Sequence, residues 1–400
     1  MKRSRFSKGI HSLLLYVLIG FCIAGIMSSI SPVSTASEPI RNTILISWDG
    51  VQRAHLRELL EAGQLPNLSK LIEEGTIVEI DVTHQTDTKA GHSQMLTGYG
   101  PEVTGVHNNS VYRPITKGYT IFERLEEELG KDNIATIMIT GKSHNLGSQG
   151  PAALAAASKK ALNSESFWRL LEKEGISREQ VQDRLKEVFG DDKIGRAIVS
   201  FMTKWPSEVL RELSPRSAKP PKVAKARRLS AVQSSLLGEP FYNAKAAIDL
   251  FQGDVQRNAD EVGKLALESL DQYGGRRFFA FIHFSDPDHA GHKYGENSSE
   301  YSEAIIAADK WLGSIVEKLK ELGVYEDTRI YVTSDHGFDE GKTTHSMAPY
   351  VFLATNDAEI KRRGDQRDIV PTLLTRMGID ISKINPPLPG RLLTEPERAW

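Results

Sequence analysis

Acidic and histidine side chains follow apolar stretches of the sequence at three places. Asp49 follows a run that ends at Trp48, and Asp335 and His336 follow a run that ends at Ser334. Carboxylate and imidazole together suit zinc, with manganese or iron as alternatives, whereas calcium and magnesium prefer oxygen ligands alone. The candidate metal ligands are Asp49, Asp288, His292, Asp335, His336 and His345.

The third apolar stretch, residues 278–285, runs into Asp288 and His292. Their spacing of four places both side chains on one face of a helical turn. His345 follows in a predicted loop, from which it can reach back toward the same place. The pattern therefore indicates one shared site.

Apolar strands alternate with amphipathic helices from about residue 40 onward, which is typical of a parallel sheet covered by helices on both faces. The predicted strands are residues 43–48, 77–82, 134–140, 278–285, 329–334 and 350–354. Helical periodicity covers residues 53–62 and 301–322. Ligands gather at the carboxyl ends of such strands, where the sequence places the acids.

Thr88 is a candidate nucleophile because it precedes an apparently helical stretch, residues 93–98. Free amides and the positive end of the dipole at a helix N-terminus favour an anionic oxygen. The alternative is that Thr88 merely caps this helix, and Thr86 is the nearest rival nucleophile.

Composition narrows the functional classes. The 400-residue chain has a formal net charge of −2, so neither specific nucleic-acid binding nor attraction to an anionic membrane is expected.

Basic residues before an apolar core at 13–27, followed by small residues at 34–36, predict a signal peptide at 1–36. We expect export to the periplasm or secretion, with membrane contact only if this leader stays uncleaved. The one cysteine, Cys22, lies in the leader, which leaves no thiolate nucleophile afterwards.

Residues 151–271 are mostly helical by pattern, without a convincing strand, and are predicted to form an insertion in a catalytic domain at 37–400. Their segment 216–228 holds six basic residues and no acid. It is predicted to be a solvated loop or, alternatively, a basic lip that attracts a phosphorylated substrate.

With these residues in view, the chain resembles the alkaline phosphatase superfamily, and within it the type I phosphodiesterase/nucleotide pyrophosphatase branch. The resemblance covers residues 44–111 and 278 to the C-terminal region, and it leaves the insertion unmatched. It implies an α/β three-layer sandwich with a mostly parallel central sheet. The matching motifs are Ser47-Trp-Asp49-Gly50, Thr88-x-x-x-His92, Pro287-Asp288-x-x-Gly291-His292, Asp335-His336-Gly337 and His345.

The resemblance also implies a role for each matching position. Two divalent ions would clamp a phosphoryl group, with Zn²⁺ favoured and Mn²⁺ or Fe as alternatives. Asn109 would contact a non-bridging phosphoryl oxygen, with Asn108 as the nearest alternative. The implied ligands are Asp288, His292 and His345 for one ion, and Asp49, Thr88, Asp335 and His336 for the other.

Residues 140–147 resemble the Gly-Lys-x-His-Leu-Gly stretch of the related sulfatases. Lys142 and His144 are therefore candidate contacts to substrate oxygens, against the alternative of a plain strand-end turn. A sulfatase is disfavoured because threonine cannot be oxidised to the formylglycine that those enzymes need.

These observations predict an exported hydrolase of phosphodiester or pyrophosphate bonds, with a phosphorylated small-molecule or nucleotide-like substrate. The alternatives are a phosphomonoesterase, then a sulfatase-like hydrolase, or a non-catalytic metal-binding protein. Mutases of the superfamily are disfavoured because their phosphorylated sugar substrates are cytoplasmic.

Overall fold

A single central sheet organises the part of the chain that the computed structural model describes, residues 39–150 and 238–397. Its strands are β1 (Asn42–Trp48), β2 (Thr76–Asp81), β3 (Ala135–Thr140), β4 (Leu250–Gln252), β5 (Phe278–Phe284), β6 (Thr328–Thr333), β7 (Tyr350–Thr355) and β8 (Gly364–Asp365). The strand order is β4-β3-β5-β1-β6-β7-β2-β8. β7 is antiparallel to both neighbours, and all other pairs are parallel. The carboxyl ends of β1, β3, β5 and β6 therefore lie at one edge.

Helices cover both faces of this sheet. They are α1 (Arg53–Glu61), α2 (Pro66–Glu74), α3 (Thr88–Thr97), α4 (Pro101–Thr104), α5 (Ile121–Leu129), α6 (Ser143–Leu146), α7 (Ala259–Tyr273), α8 (Asp286–Tyr294), α9 (Ser299–Glu321) and α10 (Ile369–Arg376). Successive side chains of a strand point to opposite faces, so Ile44 and Ile46 join a core with α1, α2, α7 and α9. Leu45 joins the other core, with α3, α5 and α10. The predicted three-layer α/β sandwich with a mostly parallel sheet is confirmed.

All six predicted strands are present, with boundaries shifted by one residue at most ends. β4 and β8 were not predicted, because runs of three and two residues are too short to show an alternating pattern. β4 lies within 151–271, so the expectation that this segment contains no strand is wrong near its C-terminal end.

Several expectations lie outside the described residues. They are the leader at 1–36, the greater part of the insertion, 151–237, and the basic segment 216–228. Within the described ranges, no helix combines the length and the apolar character that crossing a membrane requires.

Candidate metal centre and active site

The common edge of the parallel strands brings the sequence-predicted side chains together. Asp49 follows β1, Lys142 follows β3, Asp288 lies in the first turn of α8 after β5, and His336 follows β6. The Lys142 ammonium lies 2.8 Å from Asp49 Oδ2 and 2.5 Å from Asp288 Oδ2. His336 Nε2 lies 3.6 Å from Asp49 Oδ1. Residues from four strand ends thus form one cluster.

Two overlapping groups of metal-competent atoms lie within this cluster. In each group the ligand atoms lie within 4.8 Å of one another, and Asp288 belongs to both. Its Oδ1 is 3.4 Å from His292 Nε2 and 3.8 Å from His336 Nε2. The groups are Asp288, His292 and His345, and Asp49, Asp288 and His336.

Asp335 and His345 complete the predicted ligand set. Asp335 Oδ2 lies 3.4 Å from His336 Nε2, so these consecutive side chains converge rather than point to opposite faces of the sheet. His345 Nε2 lies 3.2 Å from His292 Nε2. The structure therefore brings together every carboxylate and imidazole that the sequence proposed as a ligand.

The chemistry of these atoms fits a divalent cation. Within the ranges that the structure describes, four buried ligand atoms have no hydrogen-bond partner: Asp49 Oδ1, Asp288 Oδ1, Asp335 Oδ2 and His336 Nε2. His336 Nδ1 lies 2.9 Å from the carbonyl oxygen of Gly337, which can only accept, so Nδ1 carries a proton and Nε2 can offer its lone pair. Buried polar atoms without partners are costly, and bound metal ions would give these four atoms partners.

The electrostatics of the site also favour a bound cation. Burial by itself raises the pKa of Asp49, yet Lys142 and a hydrogen bond from His283 hold that pKa well below its usual value. The pKa of Asp335 is raised, mainly by burial and secondly by repulsion from Asp49. Burial opposes the charge of Lys142, but Asp49 and Asp288 raise its pKa above the ordinary value. The Lys142 ammonium is one positive charge beside three carboxylates, those of Asp49, Asp288 and Asp335. The site therefore favours the binding of further positive charge.

His283, which sequence reasoning missed, fixes the orientation of Asp49. The backbone N–H of Gly141 lies 3.2 Å from His283 Nδ1, so Nδ1 accepts and Nε2 carries the proton. His283 Nε2 then donates to Asp49 Oδ2 at 2.8 Å. The one signal in the sequence was a histidine within an otherwise apolar strand, β5.

Replacing His283 with leucine is expected to weaken metal binding by about tenfold to a hundredfold, as loss of a partner behind a metal ligand usually does. His283→Gln, which can present an N–H to Asp49, should recover part of the loss. Titration with zinc, after a chelator has removed all metal from the protein, measures the zinc affinity of both variants. Equal zinc affinity in the wild type and His283→Leu would show that the orientation of Asp49 does not depend on His283.

Thr88 is the first residue of α3, and Asp87 occupies the N-cap position. The hypothesis that Thr88 serves merely as the helix cap is therefore wrong. The side chain is 2% exposed, and its Oγ1 lies 3.4 Å from Lys142 Nζ. Thr86, the rival nucleophile, donates its hydroxyl to the carbonyl of His345 instead.

Asn109 lies beside Thr88, whereas Asn108 has a local role. Asn109 Oδ1 accepts from the backbone N–H of Lys89 at 2.9 Å and from Asn145 Nδ2 at 3.0 Å. The Nδ2 group of Asn109 makes no hydrogen bond within the described residues, so it can donate to a ligand. Asn108 Oδ1 holds a turn by accepting from two backbone N–H groups, those of residues 110 and 111.

The two residues of the sulfatase-like stretch lie in different places. Lys142 is buried among the predicted metal ligands. His144 is exposed on α6 and, within the described part of the chain, makes no hydrogen bond to a predicted ligand. Lys142 therefore lies within the cluster beside Thr88, and His144 is not part of the cluster.

The loop that carries His345 is held by Asp339, another residue that sequence reasoning missed. Its carboxylate accepts from Thr344 Oγ1 at 2.7 Å and from the backbone N–H of Met347 at 2.8 Å. His292 Nδ1 donates to the carbonyl of Thr343 in the same loop at 2.9 Å. These contacts fix the loop that carries His345 and orient the imidazole of His292.

A comparison with protein families agrees with this geometry. The model of the type I phosphodiesterase/nucleotide pyrophosphatase family matches residues 43–387, a range that includes every predicted site residue. The chain belongs to that family. The resemblance inferred from the motifs is thereby confirmed.

Individual relatives align over shorter stretches. A bis(5'-adenosyl)-triphosphatase of Pongo abelii is 40% identical over 63 residues, which are 16% of this chain and 14% of the relative. A 2,3-bisphosphoglycerate-independent phosphoglycerate mutase of Clostridium kluyveri is 29% identical over 140 residues, 32% of this chain and 26% of the relative. The aligned stretches span less than a third of either relative's length.

A solved structure from Vibrio parahaemolyticus, described as a protein in the alkaline phosphatase superfamily, is also similar. Its TM-score is 0.49 at 16% sequence identity, and the match covers 90% of this chain and 71% of that chain.

Proposed function

We propose that this protein hydrolyses phosphodiester or pyrophosphate bonds, with Thr88 as the nucleophile and two divalent metal ions as cofactors. The observation that carries the proposal is the position of the Thr88 hydroxyl at the edge of the unsatisfied carboxylate and imidazole cluster. Lys142 Nζ contacts Thr88 Oγ1 at 3.4 Å, and the same ammonium contacts Asp49 and Asp288. Family membership supports phosphoric esters as the substrate class.

The metal ligands of the proposal are those that the motifs implied. The mixed oxygen and nitrogen donors fit zinc best, with manganese or iron as alternatives. When bound, such ions would stabilise negative charge on the phosphoryl oxygens and lower the pKa of a neighbouring hydroxyl. One ion would be held by Asp288, His292 and His345, and the other by Asp49, Thr88, Asp335 and His336.

The protein's own groups account for the steps of the reaction. Thr88 Oγ1 forms a bond to phosphorus and loses its proton to solvent, while the bond to the leaving oxygen breaks and that oxygen gains a proton. The amide Nδ2 of Asn109 and the ammonium of Lys142 stabilise the charged phosphoryl oxygens. A water oxygen then bonds to phosphorus, the bond to Thr88 breaks, and the hydroxyl is restored.

Phosphomonoester hydrolysis is the second candidate, and Lys142 favours it. A monoester carries one more negative charge on its phosphoryl group than a diester does, and a buried ammonium beside Thr88 stabilises that charge. A nucleotide-like substrate remains part of the proposal because a bis(5'-adenosyl)-triphosphatase is among the relatives.

A substrate panel separates these activities. We expect the metal-replete protein to hydrolyse bis(para-nitrophenyl) phosphate with a higher kcat/KM than para-nitrophenyl phosphate, and to leave para-nitrophenyl sulfate almost untouched. A chelator should abolish turnover, and zinc should restore it. Faster hydrolysis of the monoester would favour the second candidate, and no hydrolysis of either phosphate by zinc-loaded protein would contradict the proposal.

Export is a separate part of the proposal, supported by the signal-peptide pattern at 1–36. N-terminal sequencing of the protein recovered from its native host tests it. A mature chain that begins near residue 37 is expected, and a cytoplasmic protein with an intact N-terminus would contradict export.

A further inference from the structure

Lys89, the residue after Thr88 in α3, is a buried cation that the proposed mechanism does not use. Its side chain is 5% exposed, and Nζ lies 4.5 Å from the ring centre of Tyr112. Among the residues that the structure describes, no carboxylate forms an ion pair with it. Contact with an aromatic face offsets only part of the cost of burying an ammonium group, so its lack of an anionic partner needs an explanation.

The nearby acids are occupied elsewhere. Asp87 Oδ2 accepts from the backbone N–H of Asn109 at 3.1 Å, and Glu239 Oε2 accepts from the backbone N–H of Gln149 at 2.7 Å. Both carboxylates influence Lys89 only from a longer range. The three N–H donors of the ammonium therefore lack a charged acceptor within the described ranges.

Lys89 lies close to two residues that the proposed function places at the substrate, Asn109 and Lys142. Its backbone N–H donates to Asn109 Oδ1, so the backbone of Lys89 lies beside Asn109. Its ammonium is close enough to that of Lys142 for the two charges to repel each other. Lys142, by contrast, reaches the metal ligands and the Thr88 hydroxyl. Lys89 Nζ lies against the ring of Tyr112, and the residue keeps 5% of its surface exposed.

We propose that Lys89 binds a second anionic group of the substrate, a carboxylate or a phosphate a few bonds away from the scissile phosphorus. The proposal rests on the proposed function, in which Thr88 attacks that phosphorus. An anionic group here accepts the unused hydrogen bonds and neutralises the buried charge, which gives a charge-assisted contact. The substrate class is then a phosphoric ester or anhydride whose remaining part is itself negatively charged.

Matched phosphonates test this without turnover. Phosphonopropionate and propylphosphonate have the same length, and only the first ends in a carboxylate. Calorimetry on the zinc-loaded protein should show that phosphonopropionate binds about tenfold more tightly, the effect of one hydrogen bond to a charged group. Ethane bisphosphonate tests whether the second anionic group is a phosphate rather than a carboxylate. The zinc content is measured again after each titration, to exclude removal of the metal by the ligand. Preference for either anionic ligand supports the proposal and identifies the group.

Variants assign the preference to Lys89. In Lys89→Met the ratio of the two affinities should fall to about one, whereas Lys89→Arg should keep most of it. Lys245→Met is the matched control, because Lys245 also lies over an aromatic ring, that of Phe251, but has a carboxylate partner in Asp254. Its affinity ratio should equal that of the wild type.

Two results would overturn the inference. One is equal binding of the neutral and anionic ligands by the wild type, and the other is an unchanged affinity ratio in Lys89→Met. A preference that depends on Lys89, found in a protein that hydrolyses no phosphoric ester, would support the anion site while contradicting the proposed function.

Discussion

Thr88→Ala is expected to lower turnover of a phosphodiester by about a thousandfold or more, because it removes the atom that forms the covalent bond to phosphorus. The fold and much of the metal binding should persist, since Asp49, Asp335 and His336 remain beside the same position. Thr88→Ser keeps a hydroxyl and should retain part of the activity. Steady-state kinetics and elemental analysis on the same preparations measure both effects.

The matched control for this substitution is Thr97→Ala. Thr97 is a fully buried threonine at the other end of α3, and its hydroxyl donates to the carbonyl of Ser93 at 2.7 Å. Its loss should reduce stability by about 1 kcal/mol and leave turnover per folded molecule nearly unchanged. Thr86→Ala should lower activity only modestly. If Thr88→Ala behaved like Thr97→Ala, the nucleophile would have to be sought elsewhere.

Asp288→Asn is expected to weaken both metal positions and to lower activity by about a thousandfold. Its Oδ1 lies 3.4 Å from His292 Nε2 and 3.8 Å from His336 Nε2, so one substitution removes negative charge from both ligand groups. Loss of metal clamping costs several kcal/mol of transition-state stabilisation, which corresponds to this change in rate. His345→Ala, which affects one group, should lose less metal.

Elemental analysis after dialysis against limiting zinc distinguishes these variants. Asp309→Asn is the control for removing a buried carboxylate: Asp309 is 1% exposed and accepts from the backbone N–H of Leu68 at 2.7 Å, away from the cluster. It should lower the unfolding temperature without changing the zinc content. Wild-type zinc content and activity in Asp288→Asn would refute the shared-site interpretation.

The sheet and the position of the carboxylate and imidazole cluster could be predicted because both depend on local patterns. The β-branched and apolar runs identify the long strands, and a parallel sheet places their carboxyl ends at one edge. Asp49, Asp288 and Asp335 follow β1, β5 and β6, so their convergence required no knowledge of side-chain geometry. β4 and β8 escaped prediction because pairing with a neighbouring strand, rather than their own sequence, defines them.

The residues behind the ligands could not be predicted, because contacts between distant segments create their roles. His283 lies in the middle of β5 and is explained only by the strand β1 beside it, which delivers Asp49. Asp339 resembles any loop aspartate until its hydrogen bonds to the loop carrying His345 are seen. Lys142 was predicted to contact substrate, but its position between two carboxylates depends on three strand ends meeting.

Trapping of the covalent intermediate tests the central claim most directly. Zinc-loaded protein is mixed in excess with a phosphodiester labelled in the group that would remain on the enzyme, quenched in acid within a single turnover, digested and mapped. We predict stoichiometric label on the peptide that contains Thr88 and none in Thr88→Ala. Label reproducibly found on another residue, or full single-turnover hydrolysis by Thr88→Ala, would contradict the account.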